Sequence, residues 1–137
     1  MAKGMWVETH EWMEVQVPAP KSPAIVVINE KHQLMAQQIE LLEEEFSSFE
    51  ELRVSEAGWD KTRIREESKK LAESRKAVVV LSPIPLLLGL LASARKEGVY
   101  VFHNDLREKK EVPDGKGGTR IIFTVAPNGW ELVDITE

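Results

Sequence analysis

Two short apolar runs, Ala24-Ile-Val-Val-Ile28 and Ala77-Val-Val-Val-Leu81, constrain this chain more than any other feature. Neither alternates with polar residues, and a strand without alternation is buried on both faces, as interior strands of helix-covered parallel sheets are. The stretches between and after them have helical spacing instead. His32 to Phe46 places Leu34, Ile39, Leu41, Leu42 and Phe46 at mostly helical spacing, with Glu and Gln outside. Glu51 to Ser55 reads as a short strand, and Gly58 with Asp60 marks the entry to a second helix, Thr62 to Ser74. That helix carries only the thin stripe Ile64, Leu71 and Ala72, which predicts the more exposed helix.

After the second apolar run, Ser82-Pro83 reads as an N-cap followed by proline at the first helical position. The third helix, Ile84 to Lys96, is apolar almost all round and therefore needs cover on more than one side. In so short a chain a second copy is a plausible cover, which predicts a homodimer using this helix or its flanks. Gly98 ends the helix, and Val99 to His103 is the next strand. Asp105 to Arg120 is a polar loop with turn signals, and Ile121–Val125 pairs with Glu131–Ile135 as a hairpin through Ala126-Pro-Asn-Gly129.

The order of elements predicts an α/β Rossmann-like three-layer sandwich, its sheet mostly parallel with a C-terminal antiparallel hairpin. Its 137 residues suit one domain. Residues 24–137 form that domain, and residues 1–23, interrupted by Pro18-Ala-Pro-Lys-Ser-Pro23, form an N-terminal arm that carries Trp6 and Trp12. An exposed tryptophan pair is costly, so the arm is expected to pack on the body or on a partner.

Composition excludes several classes. With no cysteine there is no disulfide scaffold, thiol catalysis or Cys-based zinc site. Lys and Arg total 18 against 23 Asp and Glu, and a net charge of -5 argues against non-specific binding to duplex nucleic acid. The apolar stretch Ala77 to Ala94 is broken by Ser82, Pro83, Pro85, Gly89 and Ser93, so no membrane span is expected. The acidic N-terminus has no apolar signal region, which makes the cytoplasm the default location. No dinucleotide, Walker, HExxH or GxSxG motif is present, and neither metal-dependent hydrolysis nor dinucleotide redox chemistry is expected.

Ligands of open α/β sheets sit outside the C-terminal ends of the strands. That rule selects Asn29, Glu30 and His32 after the first body strand, Ser82 after the third, and His103, Asn104, Asp105 and Arg107 after the fourth. Ser82 offers a hydroxyl beside the amides of a helix N-terminus, a combination that binds phosphate or carboxylate. His103 can move a proton near neutral pH, and Asn104 can read a base edge or ribose. Arg107, Lys109, Lys110, Lys116 and Arg120 stand against Asp105, Glu108, Glu111 and Asp114, five against four, in the one relatively cationic segment. Each of these also has a structural reading: a helix cap, an Asn-Asp turn, a solvated hairpin. His10, His32 and His103 are far apart in sequence, and no metal site is expected from them.

The small body, the Leu81-Ser-Pro-Ile-Pro85 turn and the Val101-Phe-His-Asn-Asp105 strand end resemble CRISPR-associated Rossmann-fold (CARF) domains over about Ala24 to Ile135. More narrowly, they are similar to small stand-alone ring nucleases of antiviral defence. The resemblance implies a homodimer with a cyclic oligoadenylate across its two-fold axis, held by loops after the first and third strands. In cleaving members it implies attack of a ribose 2′-hydroxyl on the adjacent phosphate, with neither metal nor cofactor. In that mechanism Ser82 or Asn29 positions the phosphate, His103 assists proton transfer and Lys109 stabilises developing charge, with His32, Asn104 and Arg107 as further ligand contacts. The competing reading is a non-catalytic interaction module in which the Trp-bearing arm and the apolar third helix serve a protein partner.

Overall fold

The computed structural model describes residues 20–137 in full and the backbone of residues 2–6 and 12–16. The two N-terminal segments, β1 (Ala2–Trp6) and β2 (Trp12–Gln16), pair antiparallel in a two-stranded sheet separate from the main one. The side chains of Trp6 and Trp12, and so the expected packing of the arm, lie outside the described residues.

The body follows the order β3 (Ala24–Asn29), α1 (Ala36–Glu45), β4 (Phe49–Val54), α2 (Lys61–Glu73), β5 (Ala77–Val80), α3 (Pro85–Ala94) and β6 (Val99–His103). It ends with β7 (Arg107–Pro113), β8 (Thr119–Val125) and β9 (Glu131–Asp134). The five-stranded sheet has the order β4-β3-β5-β6-β9, parallel except for β9. This is the expected Rossmann-like α/β architecture.

Alternation within the apolar runs builds the two cores. Ala24, Val26, Ile28, Ala77 and Val79 pack beneath Leu42 and Phe46 on the α1 face, with Tyr100, Phe102 and Leu132 half-buried beside them. Val27, Val78, Val80 and Val99 pack on the other face beneath Ile64 and Leu71 of α2 and Leu87 and Leu91 of α3. Asp60 caps α2 by accepting the Arg63 N–H at 2.7 Å. The helix α1 begins at Ala36, not near His32, because residues 29–32 turn tightly and Gln38 Oε1 accepts the Met35 N–H at 2.9 Å.

Two local expectations are corrected. Ser82 does not cap α3, which begins at Pro85 with Ile84 at the N-cap position. Ser82 and Ile84 each precede a proline, whose ring disfavours helical backbone in the residue before it, so the helix starts only at the second proline, Pro85. Nor do Ile121–Val125 and Glu131–Ile135 pair. The stretch expected as a loop contains β7, which takes β8 as its partner in a separate antiparallel ribbon, while β9 lies along β6. The Ala126–Gly129 segment carries the chain from the ribbon back to the sheet: Gln37 Nε2 donates to Asn128 O at 3.0 Å, and Gln37 Oε1 accepts the Trp130 N–H at 2.8 Å.

The helix α3 finds part of its cover within the chain. Leu87 and Leu91 are fully buried, Leu88 and Leu90 are half-buried, and Leu86 is its one large exposed apolar residue at 39%. Among the described residues no helix is long and apolar enough to cross a membrane. Replacing Leu87 or Leu91 by Ala is expected to cost ~2–5 kcal/mol in urea unfolding, and Leu86→Ala only about 0.5 kcal/mol.

Candidate functional site

In the strand order β4-β3-β5-β6 the chain moves outward from β3 to β4, then returns across β3 to β5. The reversal falls between the C-terminal ends of β3 and β5, where helices leave for opposite faces, the position at which open α/β sheets bind ligands. Val27 pairs with Val80, and Val80 with Val101. Asn29 ends β3, Ser82 lies two residues beyond β5 and His103 ends β6, so the three candidates follow neighbouring parallel strands at the same end of the sheet.

The exit from β5 is fixed by backbone. Leu81 and Ser82 both donate N–H bonds to Val27 O, at 2.9 and 3.0 Å, and Ser82 O accepts from Ile84 N at 2.8 Å. Ser82 is buried as a residue. On the neighbouring strand Asn29 Oδ1 accepts the Lys31 N–H at 2.9 Å, and Asn29 O accepts the His32 N–H at 2.9 Å. Arg53 of β4 braces this turn, its Nη1 donating to Glu30 O at 3.2 Å and His32 O at 3.4 Å, while Nη2 pairs with Glu51 at 2.6 Å. Glu30 Oε1 accepts the Glu56 N–H at 2.8 Å. His32 is exposed on this turn, and His103 is exposed at the end of β6 opposite Glu131 of β9.

The other expected site residues belong to the neck and shaft of the ribbon. Asn104 is buried, its Nδ2 donating to Ala126 O at 2.6 Å and its Oδ1 accepting from Leu106 N at 3.0 Å. Gly129 lies so close to this knot that a Cβ there would sit 2.6 Å from Asn104 Oδ1 and 2.8 Å from Leu106 Cβ. Arg107 Nη1 donates to the carbonyls of Asn104 and Leu106 at 2.8 and 3.0 Å. Lys109 is exposed midway along β7, opposite Phe123. Thus Asn29, Ser82 and His103 are brought to one edge, whereas Asn104 and Arg107 tie the ribbon to it and Lys109 stands on the ribbon.

Sequence reasoning did not anticipate a cleft of about 430 Å³ at the opposite edge, lined by Lys21, Arg75, Arg95, Glu45, Tyr100 and Asp134 among others. Arg95 is already engaged there, donating to Leu71 O at 2.9 Å and Glu97 O at 3.2 Å. Tyr100 packs edge-on against Phe46 at 5.1 Å and donates to Glu45 Oε1 at 3.4 Å. Burial, followed by the negative charges of Glu45 and Asp134, pushes the Tyr100 hydroxyl up to about 12. This cleft is acidic and cationic in mixture and holds none of the strand-end candidates.

Comparisons with protein-family models, curated proteins and solved structures returned no match to the chain. The functional reading therefore rests on the geometry of the C-terminal edge and on the chemistry of its residues.

Tyr100 is the one tyrosine of the chain, so tyrosinate absorbance near ~295 nm reports it alone. A midpoint near 12 is expected in the folded protein. The sign follows from linkage: the folded state holds the phenolic proton more tightly, so the contribution is intact below ~10 and is lost as pH rises from there through about 12. Tyr100→Phe removes that dependence. Asn104→Ala, which removes the partner of the Leu106 N–H and the shorter of the two bonds to the Ala126 carbonyl, is expected to cost ~1–3 kcal/mol and to expose the amides of β7 to hydrogen exchange.

Proposed function

We propose that the chain binds a cyclic oligoadenylate-type second messenger at the C-terminal edge of its sheet and cleaves it without metal, working as a homodimer. One observation carries this reading: Asn29, Ser82 and His103 stand at the C-terminal ends of three neighbouring strands, beside the topological reversal of the sheet between β3 and β5. An amide side chain, a hydroxyl and an imidazole in series are suited to a ribose-phosphate backbone. Ser82 and Asn29 hold a phosphate in line with the neighbouring ribose. His103 takes the proton from the 2′-hydroxyl as its oxygen attacks phosphorus. The bond from phosphorus to the 5′-oxygen breaks, and the departing alkoxide takes up a proton. The products are a 2′,3′-cyclic phosphate and a free 5′-hydroxyl, so atoms and charge balance. Two exposed lysines at this end, Lys31 beside the Asn29 turn, 3.8 Å from Glu56, and Lys109 on the ribbon, supply local positive charge for an anionic ring.

The test is incubation with cyclic tetra-adenylate and cyclic hexa-adenylate in EDTA, followed by chromatography. Conversion to linear products with cyclic phosphate ends is expected. Ser82→Ala and His103→Ala should each slow it at least ten-fold with little change in melting temperature. Absence of both binding and cleavage in the wild-type protein would remove the reading. Loss of activity only in proportion to loss of fold would make the two residues structural.

A further inference from the structure

The ribbon β7–β8 presents its apolar residues in an unusual direction. Directly opposed residues of an antiparallel pair share a face, and the register places Arg107 with Val125, Lys109 with Phe123, and Glu111 with Ile121. On this face Phe123 is 68% exposed, Ile121 50% and Val125 41%. Val112, Ile122 and Thr124 of the opposite face are half-buried. The most apolar row of the ribbon therefore faces outward, and a contiguous exposed apolar row of this kind marks an interaction surface.

We infer that a second copy of the chain occupies this face, ribbon against ribbon about a two-fold axis. The pattern is self-complementary in charge as well as in apolar content. The face has a cation, Arg107, at one end, an anion, Glu111, at the other, and the Lys109–Phe123 rung midway. Turning a second ribbon end for end over the first, about an axis through that rung, brings Phe123 onto the partner's Phe123. The same rotation sets Val125 against the partner's Ile121 and Arg107 against the partner's Glu111, and symmetry makes each of these contacts twice. A polyanion laid on the same face would meet Glu111 without compensation, and a chain of net charge -5 gives it little general attraction. The two Lys109 ammonium groups extend past the ring edges into water, as long cationic side chains do. The ribbon is rooted just after β6, at the same end of the sheet as Asn29, Ser82 and His103. The interface itself does not depend on any ligand.

Sedimentation velocity on the full chain tests this. The wild type is expected at twice 15.5 kDa at tens of micromolar. Glu111→Arg and Arg107→Glu should each weaken the dimer at least ten-fold, and the double reversal should restore it to within a few-fold of wild type. Arg107 also bonds the neck of the ribbon, so Glu111→Arg, checked by circular dichroism, is the cleaner single variant. The chain has no cysteine, which allows a second measurement. Oxidation of the Phe123→Cys variant should give a disulfide-linked dimer, whereas oxidation of Lys116→Cys, at the ribbon tip, should not. A monomeric wild type overturns the inference. So does a dimer indifferent to Glu111→Arg, a double reversal no tighter than the singles, or a Phe123→Cys variant that cross-links no faster than the tip control.

Discussion

The strand β3 is hydrogen-bonded along both edges and covered on both faces, and the rest of the body takes its position from it. Val26, Val27 and Ile28 are each 0% exposed, so a one-residue slip would exchange the side chains beneath α1 with those beneath α2 and α3. The register of β4 and β5 is thereby set, and so is the height at which each leaves the sheet. The Val27 carbonyl completes the arrangement by accepting from both Leu81 and Ser82, which turns the chain at a fixed point after β5. The placement of Asn29, Ser82 and His103 at neighbouring strand ends is a consequence of that packing.

A second tie operates at the far side of the sheet. The ribbon is attached through a knot of backbone and amide groups around Asn104, Leu106, Ala126 and Gly129, where there is room for no side chain at position 129. Gln37 of α1 holds the returning segment by two further bonds, and Trp130 packs edge-on against Phe102 at 6.2 Å. A ribbon with few buried side chains of its own is thus held by its base, leaving its outer face to whatever it contacts.

The parts of this fold that were legible in the sequence are those decided by burial. β3, β5 and β6 are short apolar runs, and α3 is a leucine-rich segment bounded by proline and glycine, so their limits fall within one or two residues of expectation. β7 was not legible, because Arg-Glu-Lys-Lys-Glu-Val-Pro has no apolar face and is a strand only through its pairing with β8. Pro127-Asn-Gly129 has the composition of a hairpin turn yet serves as a connection, since Leu132 gains burial beneath α1 by joining β6. The site divides in the same way. Position at a strand end follows from element order, and Asn29, Ser82 and His103 do stand at or just beyond the ends of β3, β5 and β6. The direction of a side chain does not, and Asn104, chosen for its chemistry, spends that chemistry on the ribbon neck.

The sheet therefore offers two candidate edges: a C-terminal one with a hydroxyl, an amide and an imidazole from neighbouring strand ends, and an N-terminal one with a mixed-charge cleft beside Tyr100. Amide chemical-shift mapping by nuclear magnetic resonance during titration with cyclic tetra-adenylate decides between them most directly. The expected result is a set of shifts at Asn29 to His32, Leu81 to Ser82 and His103 to Leu106, with the amides of Ser22, Arg75 and Gly98 unmoved. Shifts confined to Ser22, Arg75, Gly98 and their neighbours, or no shifts at any ligand concentration, would contradict the assignment of the site to the C-terminal edge.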